Sequence, residues 1–264
     1  MPGYDSNRRK FVKFSAAGIG GLALSSFAGA SKEHPLPLTT ENPPDKKLRI
    51  ICVGAHPGDP EFGCGGTLAR YADAGHPVSV LYLTRGEAGD PEKTYEQSAA
   101  LRTHEAETAC SLLKVKPLFF GQTDANTILN KISIDDMTKR IQAEKPDLLF
   151  THWPLDAHPD HQVAGLLAYN AWVKLAQSFA LYFYEVNTGA ETMDFVPTDY
   201  VDISAVREKK RSAMFAHQTQ EPEKIYDSYF KTLEEFRGLQ AGVKAAEGFI
   251  LFKPRNKMAT LTGL

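Results

Sequence analysis

Between residues 48 and 184, five short apolar runs alternate with longer stretches of helical spacing, and this alternation excludes most architectures. Leu48 to Gly54, Pro77 to Leu83, Pro117 to Phe120, Asp147 to Trp153 and Ala180 to Tyr184 have the length and apolar character of strands. Gly63 to Gly75, Thr94 to Lys114, Ile134 to Ala143 and His161 to Phe179 carry helical spacing, with Ser133 placed to cap the third. Ser204 to Phe215 and Pro222 to Leu239 read as two further helices. Strands separated by helices predict parallel βαβ units, hence an α/β fold: a three-layer, Rossmann-like, doubly wound and mostly parallel sheet. In such a sheet, ligands bind outside the carboxyl ends of the strands.

Length and composition set the remaining bounds. The chain has 264 residues, of which 42% are hydrophobic, enough to bury one large core without covalent staples. A formal net charge of −2 gives no electrostatic basis for a nucleic-acid partner or for an anionic membrane surface. Cys52, Cys64 and Cys110 are odd in number and define no disulfide framework; Cys52 lies in an apolar run and reads as a small hydrophobe.

Residues 1–30 read as a signal peptide rather than as part of the fold. Asn7-Arg8-Arg9-Lys10-Phe11-Val12-Lys13 resembles the twin-arginine export motif, and a Gly/Ala/Ser-rich apolar run follows from Phe14 to Phe27. That run falls short of the roughly 20 apolar residues a membrane span needs. Ala28-Gly29-Ala30 has the small-x-small form of a cleavage site. The expectation is export by the twin-arginine route to a periplasmic or extracellular location, with no stable membrane anchor after processing. Processing would remove Arg8, Arg9, Lys10, Lys13 and Asp5, leaving 26 basic and 31 acidic side chains, a net charge of −5. Residues 31–46, rich in proline, read as a linker, and 47–264 as a single domain.

Two polar constellations fall at strand ends. His56-Pro57-Gly58-Asp59-Pro60-Glu61 follows the first strand, and His158-Pro159-Asp160-His161 follows the fourth. About 100 residues separate them in sequence, yet the predicted topology puts both on one rim. A catalytic metal site commonly takes three protein ligands and an open position. A His₂Asp set suits Zn²⁺, with Fe²⁺ or Co²⁺ as alternatives.

Ala55 to Thr67, AHPGDPEFGCGGT, resembles the A-H-P-D-D-x-E-x-G-x-G-G-T signature of the PIG-L/LmbE-like deacetylases, and Asp156-Ala-His-Pro-Asp-His161 resembles their D-x-H-P-D-H motif. Weaker echoes lie at Arg85–Gly89, at Arg102–Ala106, and from Lys210 to Ala216-His217-Gln218-Thr219-Gln220. The resemblance runs over roughly residues 47 to 253 and implies an LmbE-like fold. It also implies zinc-dependent hydrolysis of the amide in N-acetylglucosaminyl or related compounds. Carried over by position, the metal ligands are His56, Asp59 and His161, the oxyanion-stabilising histidine is His158, and Asp160 orients it. The partner implied is a small-molecule or oligosaccharide N-acetylated sugar; the oligomeric state stays open.

One position departs from the family pattern. The first aspartate, the usual general base, is replaced by Gly58. Three readings follow: His158 paired with Asp160 acts first as base and then as acid, Glu61 takes the proton, or the chain is a metal-binding relative without turnover. The first is preferred because the ligands and the His–Asp pair are intact.

Other residues have bland readings beside functional ones. Arg102, Trp153 and His217 are candidate substrate contacts, against a surface salt bridge, a structural aromatic and a helix-end residue. His152 is as readily structural as pocket-shaping. Arg207-Glu-Lys-Lys-Arg211 reads as a solvated helix face, and His76 and His104 as surface positions. Gly63, Gly65 and Gly66 are not a dinucleotide fingerprint; they let a helix approach the site closely. Three functions compete: an exported sugar deacetylase, a noncatalytic metal-containing carbohydrate-binding relative, and a metal-dependent hydrolase of another bond such as an ester.

Overall fold

A computed structural model describes residues 47–188 and 190–252; the expected leader and linker lie outside the described residues. Seven strands form one sheet: β1 (Ile50–Gly54), β2 (Val78–Tyr82), β3 (Lys116–Phe119), β4 (Leu148–His152), β5 (Ala180–Tyr184), β6 (Asp199–Asp202) and β7 (Ala246–Phe252). The spatial order is β3-β2-β1-β4-β5-β7-β6. The first five are parallel, with Ile50 registered against Val78 on one side and Leu148 on the other. The chain reverses its winding between β1 and β4, the switch point at which α/β sheets bind ligands.

β1 is buried along its whole length, as expected of a central strand covered on both faces. Its alternate residues enter two separate cores. Ile50 and Cys52 join Val80, Tyr82, Leu68 and Phe150 on one face. Ile51 and Val53 join Leu81, Leu149, Leu167 and Trp172 on the other. This period-two split produces the three layers read from the sequence.

The helices are α1 (Asp59–Asp73), α2 (Tyr95–Leu113), α3 (Lys131–Glu144), α4 (Pro159–Lys174), α5 (Arg207–Phe215), the single turn α6 (Pro222–Ile225) and α7 (Lys231–Ala241). Several bounds differ from expectation. α1 starts four residues early because Pro60 sits in the first turn, where its missing N–H is not needed. Asn130, not Ser133, caps α3: the Ser133 N–H donates to Asn130 Oδ1 at 2.9 Å, and Ser133 Oγ accepts from Asn130 N–H at 2.9 Å. The expected helix from 222 to 239 is interrupted by a π-helical segment at Tyr226–Phe230.

Strands β6 and β7 were not expected. They add an antiparallel edge next to β5. β7 also positions Glu247, whose carboxylate accepts hydrogen bonds from Gly66 N, Thr67 N and Thr67 Oγ1 at 2.9, 2.8 and 2.6 Å. α1 needs that cap because its helical geometry breaks at Cys64 (φ −143°, ψ 17°), which frees backbone donors in mid-helix. Gly63 allows α1 to lie on β5, since a Cβ there would sit 2.4 Å from the Tyr184 ring. The three thiols are buried and free, with Cys52 Sγ and Cys64 Sγ 3.4 Å apart.

Contrary to the solvated face expected from sequence, the run Arg207–Arg211 includes one buried side chain. Lys210 is 1% exposed, and its ammonium lies 2.8 Å from Glu247 Oε1 and 3.0 Å from Glu234 Oε1.

Candidate active site

β1 ends at Gly54, and Leu83 and Thr84 of the neighbouring strand end bond back to Gly54 and Ala55. The next residues therefore turn sharply over the sheet rim. Gly58 makes the turn possible at φ +111°, a conformation side chains disfavour. The turn delivers His56 and, at the first residue of α1, Asp59; β4 and the start of α4 deliver His152, His158, Asp160 and His161.

Ligand atoms of His56, Asp59 and His161 all lie within 4.8 Å of one another. Asp59 Oδ2 is the meeting point, 3.3 Å from His56 Nδ1 and 3.4 Å from His161 Nε2. The far nitrogen of each imidazole faces a carboxylate. His56 Nε2 lies 3.0 Å from Asp124 Oδ1 and 3.1 Å from Asp160 Oδ2, and His161 Nδ1 lies 3.1 Å from Asp156 Oδ1. Metal-binding histidines usually carry such carboxylates behind them, fixing the ring and its tautomer. His152 stacks on His161 with centroids 4.2 Å apart, and its Nε2 accepts the Ala55 N–H at 3.0 Å. His152 thereby holds the His161 ring from behind.

The charge pattern matches that geometry. Burial alone would raise the Asp59 pKa, but the His161 and His56 rings outweigh it and hold the carboxyl well below its usual range. Burial lowers His161, yet Asp59 and Asp156 carry it up to about 9. Burial likewise lowers His56, and Asp59, Asp124 and Asp160 turn the balance well upward. His152 is pushed down to about 4 by burial and by His161. A buried set of carboxylates that holds protons on two imidazoles is equally a site for a divalent cation in their place. Two imidazoles and a carboxylate suit zinc or iron(II).

These shifts carry a pH signature for chelator-treated protein. His56 and His161 hold protons more tightly folded than unfolded. Their stabilisation is complete below the unfolded value near 6.5, and the His161 share is lost as pH rises through about 9. Melting temperature is expected to fall across that window; a flat profile would show that the two rings are already neutral.

Two expected residues take other partners. His158 is the N-cap of α4, and its Nδ1 accepts the Asp160 backbone N–H at 3.2 Å. The neutral ring therefore carries its proton on Nε2, where it is a donor and not a base. The Asp160 carboxylate, expected to orient His158, instead takes His56 Nε2, the Ala125 N–H at 2.8 Å and the Thr127 hydroxyl at 2.5 Å. Its hydrogen bond to His158 is through backbone, although the carboxylate also lies within 4.8 Å of a ring nitrogen. Glu61, the other candidate base, is fully buried, bonded to the Tyr82 hydroxyl and the Gly58 N–H.

A cavity of about 360 Å³ opens over the cluster, lined by His56, Asp59, His158 and His161 and also by Arg102, Asp124 and Glu191. Arg102 is buried and makes no surface salt bridge among the described residues; it donates to Pro57 O at 2.8 Å, and its Nε has no hydrogen-bond partner among them. Trp153 is turned into the structure: its indole N–H donates to Met193 O, and its ring meets Phe183 and Phe195. His217 is fully buried behind the turn, where its Cγ would lie 3.8 Å from a Cβ at residue 58; neither ring nitrogen has a hydrogen-bond partner among the described residues. Asp124 and Asp156 were not singled out from sequence. Asp156 stood in a recognised motif without a role, while nothing local marked Asp124, which the loop after β3 brings to the rim.

Space at residue 58 is adequate for a side chain, with Phe62 Cε2 3.4 Å from a built Cβ, so backbone strain decides the outcome there. Gly58→Asp is expected to fold but to lose about 1–3 kcal/mol, read as a lowered melting temperature. An unchanged melting temperature would show that the turn relaxes.

A switch-point cluster of imidazoles and carboxylates under an open cavity defines an α/β protein with a candidate metal site. The family described as GlcNAc-PI de-N-acetylase, PIG-L, matches residues 51–172. A diacetylchitobiose deacetylase of Thermococcus kodakarensis is 30% identical over 226 residues, covering 78% of this chain and 83% of the relative. The structure of N,N'-diacetylchitobiose deacetylase from Pyrococcus horikoshii superimposes with a TM-score of 0.70 at 27% identity, over 80% of this chain and 86% of that one. A 4-oxalmesaconate hydratase of Pseudomonas putida is 24% identical over 248 residues, covering 84% of this chain and 91% of the relative. The chain belongs to the PIG-L/LmbE-like N-acetylglucosaminyl deacetylase family.

Proposed function

We propose that this chain is an exported, zinc-dependent hydrolase that removes the acetyl group from an N-acetylglucosamine-like or other N-acylated sugar. One observation carries the reading: His56, Asp59 and His161 converge on one point while carboxylates stand behind both imidazoles. These three would hold the ion. When bound in such a set, zinc supplies Lewis acidity, making a water more acidic and polarising a carbonyl. Iron(II) is the alternative ion.

The chain's own groups divide the remaining work. His158, with its proton on Nε2, donates a hydrogen bond to the oxygen that becomes negative when water adds to the acetyl carbon. Asp160 and Asp124 hold His56 in register, and Asp156 does the same for His161. Arg102 lines the pocket and brings a cation to its wall, suited to sugar hydroxyls or a carboxylate. Phe62 and Ile225 give the cavity apolar surface against which a sugar's C–H face can lie.

The test is release of free amine from a panel of N-acetylated sugars by the zinc-loaded protein, with a chelated sample beside it. Turnover that the chelator abolishes and zinc restores is the expected result. The Gly58 replacement favours one second reading, sugar binding without turnover; a panel that binds and is never cleaved would establish it.

A further inference from the structure

Gly58 removes the carboxylate that the family pattern places beside Asp59. Neither expected replacement is placed to serve. His158 presents an N–H, and Glu61 is sealed beneath the turn by Tyr82 and by the Gly58 N–H. Proton acceptance must come from elsewhere on the pocket wall.

Three acidic residues line the cavity: Asp59, Asp124 and Glu191. Asp59 lies at the centre of the candidate ligand set. Asp124 is on His56 Nε2 and also accepts the Ala88 N–H at 3.1 Å. Glu191 belongs to neither group. We propose that Glu191 is the catalytic base of this chain, filling from the loop after β5 the role that residue 58 fills in the family. The inference rests on the deacetylase reading above.

Backbone geometry fixes that loop against the site. The Ala157 N–H donates to Glu191 O at 2.8 Å, and the Met193 N–H donates to Leu155 O at 2.9 Å, with Asp156 and Thr192 forming an isolated bridge between them. The Thr192 hydroxyl donates to Asp156 Oδ2 at 2.9 Å. Residue 191 is thus clamped to the segment that runs directly into His158. Partial burial raises the Glu191 pKa, with Asp59 and Asp156 adding to it and with His161 and an Asn187 hydrogen bond opposing. A carboxylate raised in this way is better matched to taking a proton near neutral pH than an ordinary one.

The step balances without any further reagent. Water oxygen bonds to the acetyl carbon as one water proton passes to a Glu191 oxygen. His158 Nε2–H donates to the resulting oxyanion. The carbon–nitrogen bond then breaks as the proton leaves Glu191 for the departing nitrogen, giving the free amine and acetic acid, which ionises.

The experiment measures amine release, zinc content and thermal stability for zinc-loaded wild type, Glu191→Gln and Glu191→Ala. Glu191→Gln is expected to lose about 10²–10⁴-fold in kcat, with KM, zinc content and melting temperature close to wild type. Added formate is expected to restore part of the turnover of Glu191→Ala in a saturable way and to leave wild type unaffected. Wild-type turnover with Glu191→Gln within tenfold of it overturns the inference alone. Loss accompanied by lost zinc, or loss that formate does not relieve, also overturns it, leaving Glu191 a structural residue of its loop. Wild type without turnover overturns the deacetylase reading and this assignment together.

Discussion

His161→Ala is expected to abolish zinc retention and to lower amine release by on the order of 10³-fold or more. The magnitude follows from removing Lewis-acid stabilisation worth several kcal/mol, at 1.36 kcal/mol per tenfold in rate. His161 meets Asp59 through Nε2, is held by Asp156 through Nδ1, and stacks on His152. Its loss therefore removes a candidate ligand and the partner of two buried groups. Asp156→Asn separates these roles. The ring stays, but its acceptor loses charge, so metal affinity is expected to fall by roughly 10–100-fold, with turnover recoverable at high zinc. Zinc content after dialysis and amine release at rising zinc read the two effects. If His161→Ala retains one equivalent of zinc and turnover within tenfold of wild type, the ligand set is wrong. His161→Gln, closer in shape and polarity, guards against a variant that only misfolds.

The five parallel strands were legible because each is an apolar run with strong breakers beside it; burial on both faces demands that pattern of β1 and β2, while β3 is a half-buried edge strand. β6 was not legible. Asp-Tyr-Val-Asp is a half-exposed edge strand, and its short polar ends resemble a loop. The site divides in the same way. His56, Asp59 and His161 stand in motifs whose spacing survives translation into three dimensions. Asp124 has no local signal, since only the sheet order brings the loop after β3 to His56. The pairing expected of His158 and Asp160 followed from the resemblance of Asp156–His161 to the family motif. At a helix start, however, the backbone dominates: the second residue of α4 has a free N–H, the N-cap side chain accepts it, and the Asp160 carboxylate is left to face His56. That substitution of roles turns His158 from an expected base into a donor.

The second large effect lies outside the pocket. Lys210→Met is expected to destabilise the fold by about 3–5 kcal/mol, because it leaves the buried Glu247 carboxylate without its cation beside Glu234, which keeps Arg207 at 2.9 Å. At about 2–4 °C per kcal/mol for a domain of this size, the melting temperature should drop by roughly 10 °C. Methionine nearly conserves volume, so the loss reports charge and not a cavity. The lysine matters through α1. The helix breaks at Cys64, Glu247 caps the freed donors of Gly66 and Thr67, and Lys210 neutralises Glu247 together with Glu234. Without the cation, the two carboxylates repel, and at least one binds a proton more readily folded than unfolded. Such a group gives stability that grows as pH falls, so the deficit should shrink between pH 7 and 5. Adding Glu234→Gln to Lys210→Met removes the like charge that faces Glu247 across the lost ammonium and should recover part of the loss. A deficit independent of pH and unrelieved by the second substitution would mean that Lys210 acts through packing of its stem on Gly65. The hold of β7 on α1, and through α1 on Asp59, would then not be electrostatic.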